Sequence, residues 1–165
     1  MARRANATEL LLHALDEAYG KSAWHGPNLR SSLRGVTSRE ASWRPSPGRH
    51  NIRDLVLHAA YWKHLVRRRL KAEKRNAFPI PGHNFFRLPN PSEREWRAER
   101  ALLEREHRAL RQAVASYPAS RLAHKLPGAS RRTPIREVFG IALHDVYHTG
   151  QIQTLKVLYR TRRTR

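Results

Sequence analysis

Two histidines four residues apart, His144 and His148, lie in the stretch "IALHDVYHTGQIQTL", Ile141 to Leu155. On a helix, residues at i and i+4 stand one above the other, so both imidazoles can face one point. That is the ligand spacing of zinc-binding helices of the His-x-x-x-His kind. Neutral imidazole suits zinc, nickel, copper and iron, and a site with three protein ligands keeps positions open for water or substrate. The rival is core packing, with both rings satisfied by hydrogen bonds. Ten histidines among 165 residues make such a pair easy to reach by chance. Spacing alone favours packing. A third histidine, His58, sits on a different amphipathic segment and shifts the balance, because metal sites in bundles are assembled from inward-facing side chains on separate helices.

Other chemistries are excluded by what is missing. "HDVYH" resembles the His-Glu-x-x-His of metalloproteases, but Asp145 is one methylene shorter than the general-base glutamate. The residues after His148 contain no acid and no further histidine to act as a downstream ligand. There is no cysteine, hence no disulfide, no thiolate zinc site and no protein-borne thiol nucleophile. That composition fits a reducing, cytoplasmic setting. The apolar part of the first twenty residues is interrupted by His13, Asp16 and Glu17, unlike a signal peptide, and no window approaches the ~20 apolar residues of a membrane span.

Secondary candidates surround the three histidines. Gln151, three residues past His148, is placed either to line a pocket or to pack between helices. Asp145 could orient an imidazole as an acceptor, but sequence neighbours on a helix point about 100° apart, which favours solvent exposure. His25 in "WHGPN" and His50 in "GRHNI" stand in turn and cap contexts, with a smaller claim to face the site. His64, His83, His107 and His124 join no constellation.

Four long helices must position these residues. The first spans about Asn6 to Tyr19, with Asn6 and Glu9 in the capping-box relation. A short helical piece, Asn28 to Arg34, follows between Gly26-Pro27 and Gly35. The second long helix starts at Asn51 and reaches about Lys74, with Ile52, Leu55, Ala59, Trp62 and Val66 on one face and His58 at its edge. A Pro/Gly/aromatic loop covers 75–91. "SERE", Ser92 to Glu95, caps a third, highly charged helix that runs to about Tyr117. Thr133-Pro134 starts the fourth, which continues to about Tyr159. There Ile135, Val138, Phe139, Ala142 and Val146 form one stripe, with Ile141, Ile152 and Leu155 roughly opposite. Apolar residues on both sides predict a buried, central helix. With no alternating strand pattern, the chain reads as one all-α domain over about 6–159, a four-helix bundle with a short extra helix and a basic tail at 160–165.

The formal charge is +20, and 27 of the 33 basic residues are arginine. A surplus of that size suits polyanions, so a nucleic-acid-binding helical protein is the alternative function. Its warrant is "RRRLKAEKR" from Arg67 to Arg75, "SRR" and the tail. Against it, Glu93, Glu95, Glu99, Glu104 and Glu106 alternate with arginines on the third helix, which predicts intrahelical pairing on a solvated face. No recognition helix or stacking platform is visible.

"LVLHAAYW" on the second helix, "HDVYHTGQIQTLK" on the last, and "WHGPNLRSSLRGVTSREASWRPSPGRHNI" between the first two together resemble the DinB/YfiT-like superfamily. The resemblance runs from the first helix to about Leu158, with little of it in the loop after Lys74 or in the third helix. It implies an up-down-down-up four-helix bundle, often a homodimer, holding a divalent metal, commonly zinc or nickel, on three histidines. Those positions fall on His58, His144 and His148, and all three are histidine here. For activity it implies a metal-dependent transferase or isomerase using a low-molecular-weight thiol, or a hydrolase; a metal-binding scaffold without turnover is a separate, third reading of the chain. Since the chain has no cysteine, any thiol must arrive as a cosubstrate beside the small-molecule substrate.

Overall fold

The computed structural model describes residues 6–73, 78–127 and 132–162. Among the described residues, six α-helices form in chain order: α1 Ala7–Tyr19, α2 Leu29–Ser32, α3 Ser38–Ser42, α4 Ile52–Leu70, α5 Glu93–Ala115 and α6 Pro134–Thr161, with a 3-10 turn at Ala119–Arg121. The starts follow local chemistry. Asn6, Asn51 and Ser92 each close a capping box with the residue three positions on, and Thr133 caps α6 ahead of Pro134. One boundary and one extra helix differ from the sequence reading. The expected end of α4 near Lys74 gives way to an end at Leu70, where Ala72 takes a positive φ of 50°, and Lys74 itself is outside the described residues. Helix α3 is an addition, capped by Thr37 through its hydrogen bond from the Glu40 N–H. Of the expected basic tail, Thr161 is still helical, and 163–165 lie outside the described residues.

Helix directions follow from which residues pair. Asp16 meets Arg111 and Tyr19 meets Glu104, so α1 and α5 are antiparallel. Arg53 pairs with Glu99 and Arg67 with Glu106, so α4 and α5 run in parallel. Arg69 pairs with Glu137 while His58 meets His144, so α6 runs back along α4. The order is up-down-down-up. Helices α4 and α1 each pack against both α5 and α6, closing a ring of four.

Trp96 is fully buried in one core cluster, where its indole N–H donates to the Val36 carbonyl at 2.8 Å. A second cluster joins Leu11 and Leu15 of α1 to Val66, Leu110, Val138 and Ile141.

Two expectations are corrected here. The acids of α5 do not mainly pair within their helix: Glu99 reaches Arg53, and Glu106 reaches Arg67 and His64, all on α4. Among the described residues, only Glu104 pairs along α5, with Arg108. The parallel α4–α5 seam is therefore polar at its edges, and the charges that look like surface decoration fix its register. Nor is α6 central. Its buried face is one stripe, Val138, Ile141, Ala142, Asp145, His148, Ile152 and Leu155, while Ile135, Phe139, Leu143 and Tyr147 point outward, with Phe139 50% and Tyr147 63% exposed.

Candidate metal centre

Antiparallel α4 and α6 bring the three histidines together from opposite ends of the sequence pattern. His144 Nε2 lies 3.0 Å from His58 Nε2 and 3.0 Å from His148 Nε2, and one nitrogen from each ring falls within 4.8 Å of the others. His58 and His148 are buried and His144 half-buried.

The second nitrogen of two of these rings decides the tautomer. His58 Nδ1 donates to the Asn84 carbonyl at 3.0 Å, and His148 Nδ1 donates to Gln151 Oε1 at 2.6 Å. A carbonyl oxygen can only accept, so both protons sit on Nδ1 and both Nε2 atoms present lone pairs. His144 Nε2 faces both, and its own Nδ1 is buried without a partner. A proton on His144 Nε2 must be shared between two acceptors, whereas a cation satisfies all three nitrogens. This donor set fits a divalent metal, with outer acceptors of the kind that orient ligating imidazoles.

Electrostatics agree. Burial pulls His58 down to about 4, and burial together with the neighbouring imidazoles pulls His144 down to about 3; burial also lowers His148. The rings are neutral at physiological pH, the form that ligates. His107 behaves alike, held to about 3 by burial and by the Lys63 charge. These shifts have a testable sign. The unfolded chain takes up protons near the ordinary value of 6.5, before the folded one does. Stability is then fully present above that pH and lost as pH falls toward 4 and 3. In chelator-treated protein, the urea midpoint at about pH 5 should lie clearly below that at about pH 7.5, and equal midpoints would contradict the neutral assignment.

The loop before α5 completes the surroundings. Phe85 stacks on His58 at 4.2 Å and, on its other face, on His50 at 3.8 Å. Asn84 sits at φ 60°, a left-handed conformation that asparagine tolerates, and its side chain accepts from Trp62 Nε1 at 3.1 Å. One residue thus ties both His58 and Trp62. The sequence reading missed Asn84 and Phe85, although "GHNFF" pairs turn formers with aromatics in a loop that otherwise has no reason to carry them.

Each remaining candidate has a definite place. Gln151 is on the site through His148, and its Nε2 also donates to the Tyr147 hydroxyl at 3.1 Å. His50 is near but shielded from the trio by Phe85, and it contacts Asp54 at 3.4 Å. His25 lies in an exposed turn with no hydrogen bond or ring contact to the trio. Asp145 reverses its expectation: it is 0% exposed and paired with Lys63 of α4, also 0% exposed. Its side chain follows the apolar stripe of Ile141 and Ile152, so it turns inward rather than out. Burial pushes the Lys63 ammonium down and the Asp145 carboxyl up, and their mutual attraction opposes both. Asp145 Oδ1 is left without a hydrogen bond. Beside the pair, Lys63 Nζ lies 5.3 Å from the Tyr19 ring centre, and His107 stacks on that ring at 3.7 Å.

A cavity of about 390 Å³ opens next to His58 and His144, walled by Trp62, Val66 and Ile141. Among the described residues, no helix is long and apolar enough to cross a membrane. Searches of curated proteins and of solved structures find no match. A family model for the DinB superfamily matches residues 23–152, a span that includes α2 to α5 and all three histidines. Over most of its length, and with its histidine trio inside the matched span, the chain belongs to the DinB superfamily.

Proposed function

We propose that this protein is a metal-dependent enzyme whose centre is a divalent cation, zinc or nickel, on His58, His144 and His148. The observation that carries the reading is the convergence of three neutral imidazoles, two of them with Nδ1 engaged so that Nε2 faces the common point. Such a cation lowers the pKa of a thiol or water in its open positions, supplying a nucleophile near neutral pH for transfer or hydrolysis. The chain's own residues orient and shield. Asn84 and Gln151 hold two ligand rings, Phe85 covers the face of His58, and the adjacent cavity gives a small substrate room beside His58 and His144. That cavity favours an enzyme over a scaffold without turnover. With no cysteine in the chain, a thiol nucleophile would be a cosubstrate. Metal analysis of protein purified without an affinity tag should give about one zinc or nickel per chain. Sub-stoichiometric metal that added ions fail to restore would reject the centre.

The outward face of α6 supports a homodimer. Ile135, Phe139, Leu143 and Tyr147 recur at four-residue intervals and stay exposed, and a contiguous apolar stripe of this kind on a highly charged chain marks an interaction surface. A two-fold contact would bury the stripe against its own copy. Leu143→Arg should turn a dimer into a monomer in sedimentation velocity at micromolar concentration, while keeping its helical circular dichroism. A wild-type protein already monomeric there would sink the dimer.

A further inference from the structure

The cavity beside the trio has a lining that mixes apolar and charged side chains. α4 contributes Trp62, Val66 and Arg69 to its lining and α6 contributes Arg136, Glu137, Gly140 and Ile141, with Arg136 exposed at the rim. The three charges are not equivalent. Arg69 Nη1 donates to Glu137 Oε2 at 2.6 Å and its guanidinium lies 5.9 Å from the Trp62 ring centre. Arg132 also approaches Glu137, at 3.7 Å, so that carboxylate is answered twice. Arg136 is different: among the described residues its guanidinium has no hydrogen bond and no ion pair, and only its backbone N–H is engaged, by Thr133. The net charge of the lining is positive, inside a chain of formal charge +20 that concentrates anions near its surface.

We propose that this cavity takes a small substrate with an aromatic or apolar body and one carboxylate, the body against Trp62 and the carboxylate on Arg136. The inference rests on reading the histidine trio as the reacting centre, since it is the trio that makes this cavity a substrate site. Three features fit together. A guanidinium offers a planar fork that matches a carboxylate bidentately. The indole is held in one orientation by Asn84, the same residue that holds His58, so wall and ligand are positioned together. The volume of about 390 Å³ suits a small molecule. Gly140 keeps the wall open: a Cβ built there meets nothing within 4 Å, so a larger side chain would project into free space without displacing the fold.

Phenylacetate and phenylacetamide, which share a body and differ in charge, separate the terms when titrated calorimetrically into chelator-treated protein. Removing metal leaves Arg136 as the group that discriminates between them. Phenylacetate should bind at least about tenfold more tightly than the amide, as expected of a charge-assisted hydrogen-bond pair. Arg136→Gln should erase that preference while leaving the melting temperature and zinc content at wild-type values. Gly140→Leu, which fills the cavity, should abolish binding of both compounds. Equal affinities for the two probes, no binding of either, or a preference that survives Arg136→Gln would each overturn the proposal. Loss of zinc from the wild-type protein would instead count against the trio, and is read separately.

Discussion

Replacing Lys63 by methionine should destabilise the fold by about 3–5 kcal/mol, the cost of stranding one member of a buried ion pair. Lys63 and Asp145 are each 0% exposed, so neither charge can relax into water when the other is removed. Asp145→Leu should cost a similar amount, because it leaves an ammonium in a site where burial already opposes its charge. The Lys63→Met, Asp145→Leu double variant should recover most of the loss, since two apolar side chains replace two desolvated charges. Urea unfolding of the four proteins gives the coupling directly. A single variant as stable as the parent would mean the pair does not hold α4 to α6. The consequence reaches the site, because Asp145 directly follows His144 and Lys63 lies on the helix that carries His58. The ion pair sets how α6 seats on α4, and the trio inherits that setting.

The second large effect concerns the metal. In the presence of zinc at about a thousand times its dissociation constant, the native state should gain about 4.1 kcal/mol over the chelated protein. His144→Ala should lose that gain, since His144 Nε2 is the nitrogen that stands 3.0 Å from both others. Its metal-free stability should fall by clearly less than that gain, since what is lost there is the contact of Nε2 with His58 and His148, the ring being half-buried and its Nδ1 making no hydrogen bond. Gln151→Leu keeps all three imidazoles but frees the His148 ring, and should weaken metal binding about 10–100-fold. Thermal shift against zinc concentration reads both variants. A zinc-dependent gain that survives His144→Ala would remove this residue from the centre.

Much of this architecture was legible in the residues. The capping boxes at Asn6 and Ser92 located two helix starts, because capping is local chemistry that needs no tertiary partner. The trio was reachable from His144, His148 and the separate His58, with the family resemblance supplying the choice. What escaped depends on partners distant in sequence. Asp145 was taken as exposed from its angle to the imidazoles, yet it shares the stripe of Ile141 and Ile152, and Lys63 stands four residues after Ala59 on the buried face of α4. Opposite charges at core positions of two helices are a readable sign of a buried pair. Phe139 and Ile135 went the other way: apolarity on both sides of α6 pointed to a central helix, but α6 packs chiefly on α1, α2 and α4 and leaves one side bare. Asn84 and Phe85 were missed because a loop has no period to read, leaving only the turn formers and aromatics of "GHNFF" as a sign.

The antiparallel pairing of α4 and α6 places His58 and His144, which meet at 3.0 Å, 86 residues apart in the chain. Closing so long a loop is slow and entropically costly, and it happens only when α6 docks. No shorter fragment ending before α6 carries more than one of the three histidines. Metal binding at this trio would thus be a chemical record that the last helix has arrived. Zinc added during refolding should leave the folding rate unchanged and slow only unfolding, lengthening the life of the bundle rather than hastening its birth.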